Sequence, residues 1–377
     1  MQQHSCDILI VGGGPAGSSL AWSMRDSGLD IMLMDKQTFP RHKTCAGWIT
    51  PTVIDTLALD LETYAADHTL QPVRGFRIGQ IGSDVIDIDY TRPVSYGIRR
   101  CEFDHYLLQR SGVRLLAGEA LKTLQRRNNR WIINDNIDAG LVVGAGGHFC
   151  PVARHLGAKT GRAETAVAAQ EIEFRMNREQ QSLCNIDPEK PELYFCPDLQ
   201  GYGWILIKGE YLNIGLGRED RHKLSSHVDA FCRFLRERGK YRFDLPGSFN
   251  GHAYLLYQHS SRPALQDGIL LIGDAAGLAY TQSGEGIRPA IESGILAGQV
   301  IREAQGDYRK EMLSAYADAI SHRFGKRKTW TRPAMPGLPA GIKQYLAKHL
   351  LKSEWFGRNV VINRWFLHTD VPALDLG

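Results

Sequence analysis

The sequence predicts an α/β fold in which a Rossmann-like nucleotide-binding domain is interrupted by an antiparallel β-sheet domain and followed by a helical C-terminal tail. Three observations predict it. The apolar run Ile8 to Val11 leads into Gly12, Gly14 and Gly17 at G-x-G-x-x-G spacing and then into the helical stretch Ser18 to Met24. A second buried-strand pattern, Gly268 to Gly273, ends in Asp274 and precedes Ser283-Gly284-Glu285-Gly286-Ile287 at a helix start. Between them, residues 165 to 217 break into short apolar stretches flanked by turn residues, as an antiparallel sheet requires.

The first element is a β-branched run without polar alternation, the pattern of a parallel strand buried on both faces. The helix after it presents unpaired N–H groups and the positive end of its dipole. A pyrophosphate is the natural ligand there. Gly12 makes the tight turn, Gly14 the close backbone approach and Gly17 the packing of helix on strand, with Pro15 and Ala16 in the same turn. The next run, Asp30 to Met34, ends in Asp35 followed by Lys36. An acid at that strand end suits an adenosine ribose hydroxyl. The motif alone does not separate FAD from NAD.

Lys36 to Thr50 reads as a loop, Val85 to Tyr90 as a short strand, and Glu102 to Ser111 as a helix with Phe103, Tyr106, Leu107 and Leu108 at helical spacing. Val113 to Ala117 reads as a further strand of the first sheet, and Trp131 to Ile133 with Gly140 to Gly144 as a hairpin. Tyr194-Phe195, Trp204 to Ile207 and Leu212 to Leu216 are strands of the inserted sheet, and Val228 to Arg238 is a helix. Gly286 to Ala304 is a helix closing the first domain, and residues 308 to 377 are helical, broken by Pro333, Pro336 and Pro339. The expected division is 1–75, 97–165 and 260–310 for the nucleotide domain, 76–96 and 166–259 for the inserted substrate domain, and 311–377 for the tail.

Composition narrows the class. In 377 residues, 43% hydrophobic and 23% charged, a net charge of +4 argues against a nucleic-acid protein. The 7 cysteines are scattered without a C-x-x-C pair, so neither a zinc site nor a disulfide framework is expected. His42, His105, His252 and His259 lack ligand spacing and read as structural or surface residues, and no metal is expected. The basic run Arg323 to Lys328 reads as a solvated face. No leader is expected before the first strand, and no apolar run approaches the roughly 18 residues of a membrane span. The expected location is a reducing cytoplasm.

Asp274 at a strand end can accept from a ribityl hydroxyl, and the helix start beyond Gly284 can face a phosphate or the electron-rich edge of a flavin. With Gly12 to Gly17 and Asp35, Arg100-Cys101-Glu102-Phe103-Asp104, Val143 to Gly147 with Val152 and Arg154, and Gly273-Asp274 with Gly284 to Ile287, the chain resembles the FAD-dependent superfamily of para-hydroxybenzoate hydroxylase, flavin halogenases and geranylgeranyl reductases. The resemblance spans residue 7 to about residue 300. It implies FAD as cofactor, with Arg100 near the pyrophosphate or ribityl chain, and Gly146, Asp274, Gly284, Gly286 and Ile287 around the pyrophosphate, ribityl and flavin ring. The chain departs from the hydroxylases at Gly146-Gly147, where they carry Asp-Gly, and at Thr281, where they carry proline.

Within the superfamily, Lys43-Thr44-Cys45-Ala46-Gly47 resembles the Lys-x-Cys-Gly-Gly loop of geranylgeranyl reductases, which implies that Lys43, Cys45 and Ala46 lie beside the flavin. Gly201-Tyr202-Gly203-Trp204-Ile205-Leu206-Ile207-Lys208 resembles their Tyr-x-Trp-x-Phe-Pro-Lys strand, with Leu206-Ile207 in place of Phe-Pro. Strand alternation puts Tyr202, Trp204 and Leu206 on one face. That face is either a substrate wall or ordinary sheet core, and Cys45 is either a flavin-proximal group or a small packed residue. The expected activity is reduction of C=C bonds in a small apolar isoprenoid or lipid-like substrate by hydride from reduced flavin, with Cys45, Tyr202 and Trp204 at the reaction centre. NAD(P)H or a ferredoxin is the expected transient electron donor. A flavin monooxygenase is the alternative, and a non-catalytic electron relay the third reading. No acid or base stands out. In the tail, Ile342, Tyr345, Leu346, Leu350 and Leu351 share a stripe with Lys343, Lys348, His349 and Lys352 between them, followed by Trp355, Phe356, Trp365 and Phe366. Such a helix lies in a membrane interface or docks on its own domain, and both remain open.

Overall fold

The computed structural model describes residues 3–160, 164–220, 222–327 and 340–375; the three tail prolines and Lys328 lie outside them. The fold is the expected α/β arrangement. Its centre is the strand His4–Val11, parallel to Ile31–Asp35 on one side and to Ile137–Gly144 on the other. Arg114–Ala117 and Ile269–Leu271 extend this sheet on its two sides, both in parallel. The hairpin Leu124–Arg127 and Arg130–Ile133 is added antiparallel to Ile137–Gly144, with Trp131 opposite Ala139.

The helices Pro15–Ser23 and Ile287–Glu303 lie against each other over much of their length. Glycine makes the approach possible. A Cβ on Gly294 would overlap the carbonyl oxygen of Ala16, and one on Gly298 the hydroxyl of Ser23. The start of the helix Pro15–Ser23 therefore rests on the second motif-bearing helix about two turns from its own start, although the chain between them builds a whole second sheet.

That second sheet runs Asn250–Tyr254, Val167–Arg175, Tyr211–Arg218, Gly201–Lys208, Glu192–Phe195, Gly75–Gln80, Val85–Asp89. All neighbours are antiparallel except Glu192–Phe195 with Gly75–Gln80. One face buries Ile205, Ile207 and Ile214 against Phe231 and Leu235 of the helix Leu224–Glu237. The other carries Tyr202, Trp204 and Leu206, as alternation requires. The indole of Trp204 lies across Gly215 of the adjacent strand, where a Cβ would collide with the ring. A short sheet of Trp48–Ile49, Ser95–Ile98 and Leu70–Val73 holds the end of the 36–50 loop.

The tail divides. Val361, Ile362, Phe366 and Leu367, most of them in the π-helical stretch Gly357–Phe366, are buried with Trp48, Val73, Phe76 and Trp204. Gly357 sits where a Cβ would come within 2.7 Å of Ile78. Arg288 fastens the chain beyond by donating to the carbonyls of Val371 (2.8 Å) and Pro372 (3.0 Å). The helix Ala340–Leu350 instead leaves Tyr345, Leu346 and Leu350 exposed, with Trp355 just beyond. The side chains of Ile342 and Lys343 lie outside the described residues. No helix among the described residues is long and apolar enough to cross a membrane.

Candidate cofactor and substrate site

The turn after the first strand is built for close backbone contact. Gly12 has φ +121°, and a Cβ there would meet the Ala145 carbonyl carbon at 2.5 Å. Gly14 caps the helix Pro15–Ser23 and brings no side chain to its amide groups. Asp35 accepts from the N–H of Gly13 (2.7 Å) and of Gln37 (2.9 Å), which fixes its carboxylate at the strand end, while Lys36 is exposed. Gly146 packs on Cys150 in the turn facing Gly12.

Asp274 comes to the same place from the other motif. Gly273 packs its backbone on Ala16 and donates its N–H to Ser293 Oγ at 2.9 Å. The Asp274 carboxylate lies beside Gly286, the residue that opens the helix Ile287–Glu303. Gly284 has φ +71° and backs onto the Tyr254 hydroxyl. The two glycine motifs thus form one groove between two helix starts.

Cations line that groove. Arg100 makes a bidentate pair with the fully buried Asp104, at 2.7 and 2.8 Å. Arg41 shares Asp104 through Nη2 at 3.2 Å, stacks on Phe39, and has its buried Nη1 without a hydrogen-bond partner among the described residues. Burial, with Arg100 close by, lowers the Lys43 ammonium to about 8. Burial pushes the Asp274 carboxyl up, but His252, Lys43 and Arg100 outweigh it and hold it below its ordinary value. His252 Nε2 lies 3.6 Å from Asp274, and burial and Lys43 lower the imidazole to about 4, so it is neutral. Arg41, Lys43 and Arg100 against Asp104 and Asp274 leave one positive charge in excess. A diphosphate between two helix amino ends fits that balance.

The loop Lys43 to Gly47 is sewn to the inserted sheet by buried polar groups. Glu171 accepts from the Cys45 N–H (3.3 Å) and from Asn213 Nδ2 (2.9 Å). Asn213 Oδ1 accepts from Trp204 Nε1 at 2.7 Å, which fixes the indole, and its amide also faces the Cys45 carbonyl. Lys208, wholly buried, pairs with Glu173 and donates to the Ala46 carbonyl at 2.9 Å. The Cys45 thiol meets Arg100. Tyr202 donates its hydroxyl to Ser283 O at 2.5 Å and packs edge-on to Phe366 of the tail. Cys45, Tyr202 and Trp204 are therefore gathered between the cofactor groove and the tail, with Ile287 beginning the helix on the groove side.

Several residues here are not read as site residues from the sequence. His252, read as structural or surface, sits on Asp274, and His42 Nε2 lies 4.0 Å from Glu171 Oε2. Arg41 precedes the Lys43 loop but matches no motif. Glu171 and Glu173 did carry a signal: two acids on one face of a strand, with Lys208 at the end of the strand two places across the sheet.

Residues 10–64 match a family model described as an NAD(P)-binding Rossmann-like domain. A menaquinone reductase of Mycobacterium tuberculosis is 28% identical over 349 residues, 85% of this chain and 81% of that protein. A digeranylgeranylglycerophospholipid reductase of Methanothrix thermoacetophila is 28% identical over 348 residues, 85% of this chain and 84% of that protein. A geranylgeranyl bacteriochlorophyll reductase-like protein of Thermoplasma acidophilum shares the fold with a TM-score of 0.72 and 23% identity, over 92% of this chain and 88% of that one. Over most of its length the chain is thus similar to reductases, a geranylgeranyl lipid reductase among them, and it has the Rossmann-type fold of the Thermoplasma acidophilum protein, as its four motif blocks imply.

Proposed function

We propose that the chain is an FAD-dependent reductase that saturates C=C bonds in an apolar, isoprenoid-like lipid. The observation that carries this reading is the placement of one apolar wall, Tyr202, Trp204 and Phe366, against a cation-lined groove sized by glycine. Such a wall and groove suit an apolar chain beside a charged cofactor. The names of the two reductase relatives, one for a geranylgeranyl lipid and one for a quinone, agree with an apolar substrate.

The orphan Nη1 of Arg41 and the glycine cradle fit FAD. The amides of Gly12 to Gly17, with Arg41, Lys43 and Arg100, would hold its diphosphate; Asp35 its adenosine ribose; and Asp274 with the helix start at Gly286 its ribityl and ring end. When bound and reduced, FAD supplies hydride. The protein's own part is to fix the Lys43 to Gly47 loop, hold the Trp204 indole in one orientation through Asn213, and exclude water with the docked tail. The electron donor, NAD(P)H or a ferredoxin, would bind in passing. An apolar lipid substrate also implies peripheral contact with a membrane, and the exposed Tyr345, Leu346, Leu350 and Trp355, flanked by the exposed Lys348 and Lys352, are the surface for it.

The test is a single turnover. FAD-loaded protein, photoreduced without air, is mixed with a geranylgeranyl lipid and the product weighed by mass spectrometry. A gain of two hydrogens per reduced double bond supports the reading. Gain of oxygen on admitting air would make the chain a monooxygenase, and an unreacted lipid that leaves the flavin spectrum unperturbed would make it an electron relay.

A further inference from the structure

Hydride addition to a C=C bond needs a proton for the second carbon, and the site contains a carboxyl arranged to give one. Glu171 and Glu173 project from the same face of one strand, toward Trp204 and the Lys43 to Gly47 loop, and their surroundings differ sharply. Glu173 is ion-paired with Lys208 and with Arg99 (3.2 Å), and although burial pushes its carboxyl up, Lys208, Asn213 and Arg99 outweigh it and hold it low. Glu171, only 1% exposed, has no Lys or Arg pair among the described residues. It accepts only from the Cys45 amide and Asn213, with His42 the one cation-forming side chain that an ion-pair distance links to it among the described residues. Burial raises it to about 7, with Glu173 adding to the rise and Lys208 opposing it. Two carboxyls with environments that push them apart divide into a fixed charge and a proton carrier.

Position agrees. Glu171 stands directly across from Gly215, and Gly215 from Trp204, so the carboxyl and the indole are in one row of the sheet face. Its Oε2 meets the backbone of Cys45, in the loop that closes the cofactor groove. The route out is short: His42 Nε2 is 4.0 Å away, and that ring is 49% exposed.

We infer that Glu171 is the proton donor of the reduction, resupplied from solvent through His42. The inference rests on the function proposed above. Hydride forms one new C–H bond; the π pair of the double bond takes the Glu171 proton to form the other. Two electrons leave the reduced cofactor, the alkene is reduced, and Glu171 is left as a carboxylate that takes up one proton by way of His42.

Glu171→Gln tests this, since the amide keeps an acceptor for the Cys45 N–H. Infrared pH-difference spectra of the cofactor-free protein are expected to show protonated-carboxyl absorption that disappears with a midpoint near pH 7, from Glu171 and from Glu285, which burial also raises to about 7; E171Q is expected to keep only the Glu285 part. In single turnover, the wild-type rate constant is expected to be flat below the midpoint and to fall above it. E171Q, with FAD binding and photoreduction unchanged, is expected to be slower by roughly 10²- to 10⁴-fold and to lose that pH dependence. Glu171→Asp should restore part of the rate and the pH dependence. His42→Gln should leave the first turnover intact and slow later ones. An E171Q rate and pH profile equal to wild type, or carboxyl absorption undiminished in E171Q, overturns the inference and leaves the reductase reading standing. A wild-type protein that reduces no alkene overturns the reductase reading and the inference with it. A variant that loses FAD or its melting transition is replaced by E171D, whose unchanged rate across pH would equally overturn it.

Discussion

Arg41 and Arg100 share a single carboxylate, Asp104, yet they do different work. Arg100 is satisfied by its bidentate pair, whereas Arg41 keeps a buried nitrogen unpaired among the described residues. Arg41→Met leaves Asp104 paired with Arg100, so stability is expected to change by less than about 1 kcal/mol. FAD affinity should fall by roughly 1.5–3 kcal/mol, the worth of a charged hydrogen bond, or about ten- to a hundredfold in Kd. Thermal melting and flavin-fluorescence titration of the same variant separate the two effects. A parallel loss of both would make Arg41 a structural residue. Lys43 gives a pH signature. Its ammonium titrates at about 8 in the free protein because of burial and Arg100. A bound diphosphate favours the charged form and raises that value, so binding takes up a proton between the free and bound values. FAD affinity is therefore expected to be insensitive to this group below pH 8 and to weaken as pH rises above it. Lys43→Gln should bind more weakly and without that decline, as titrations across pH 6 to 10 would show.

The element that matters most is the contact between the helices Pro15–Ser23 and Ile287–Glu303. Gly294 touches no ligand group, yet a methyl there would meet the Ala16 carbonyl and drive the two helices apart. Gly294→Ala is expected to cost about 1–3 kcal/mol of stability through overpacking, and to weaken FAD binding as well. Gly247, with nothing within 4 Å of its Cβ position, is the control: Gly247→Ala should change neither by a measurable amount. Differential scanning calorimetry with and without FAD reads both. This contact also marks where sequence reading succeeds and where it stops. The strand, glycine and acid at residues 8 to 17 and 35 are legible because each is a local pattern with one physical use. The same holds for Gly273-Asp274. Gly294 and Gly298, four apart inside a helical stretch where glycine is unfavourable, carry a signal of close packing but name no partner. The junction of Glu171, Glu173, Lys208 and Asn213 joins three strands and a loop distant in sequence, and only the sheet register shows that these groups meet.

At the scale of the whole molecule, the tail belongs both to the core and to the surface. Removing everything after Pro339 would strip Leu351, Val361, Ile362 and Phe366 from a shared core and expose Trp48 and Trp204, so such a truncation would confuse unfolding with loss of membrane contact. Surface substitution avoids this, because Tyr345, Leu350 and Trp355 are 62%, 46% and 68% exposed. An interfacial helix gains from burying such residues at the headgroup boundary and from attraction of its lysines to anionic lipid. The intact protein is expected to float with anionic vesicles, less with neutral ones, and less as salt rises, since exposed charges act over only about 10 Å at 0.1 M. Replacing Tyr345, Leu350 and Trp355 together by serine should abolish flotation while leaving the melting temperature and single-turnover rate on detergent-dispersed lipid unchanged. Equal flotation of the two proteins would place the membrane contact elsewhere or remove it. Loss of turnover on dispersed lipid would instead make these side chains part of the substrate path.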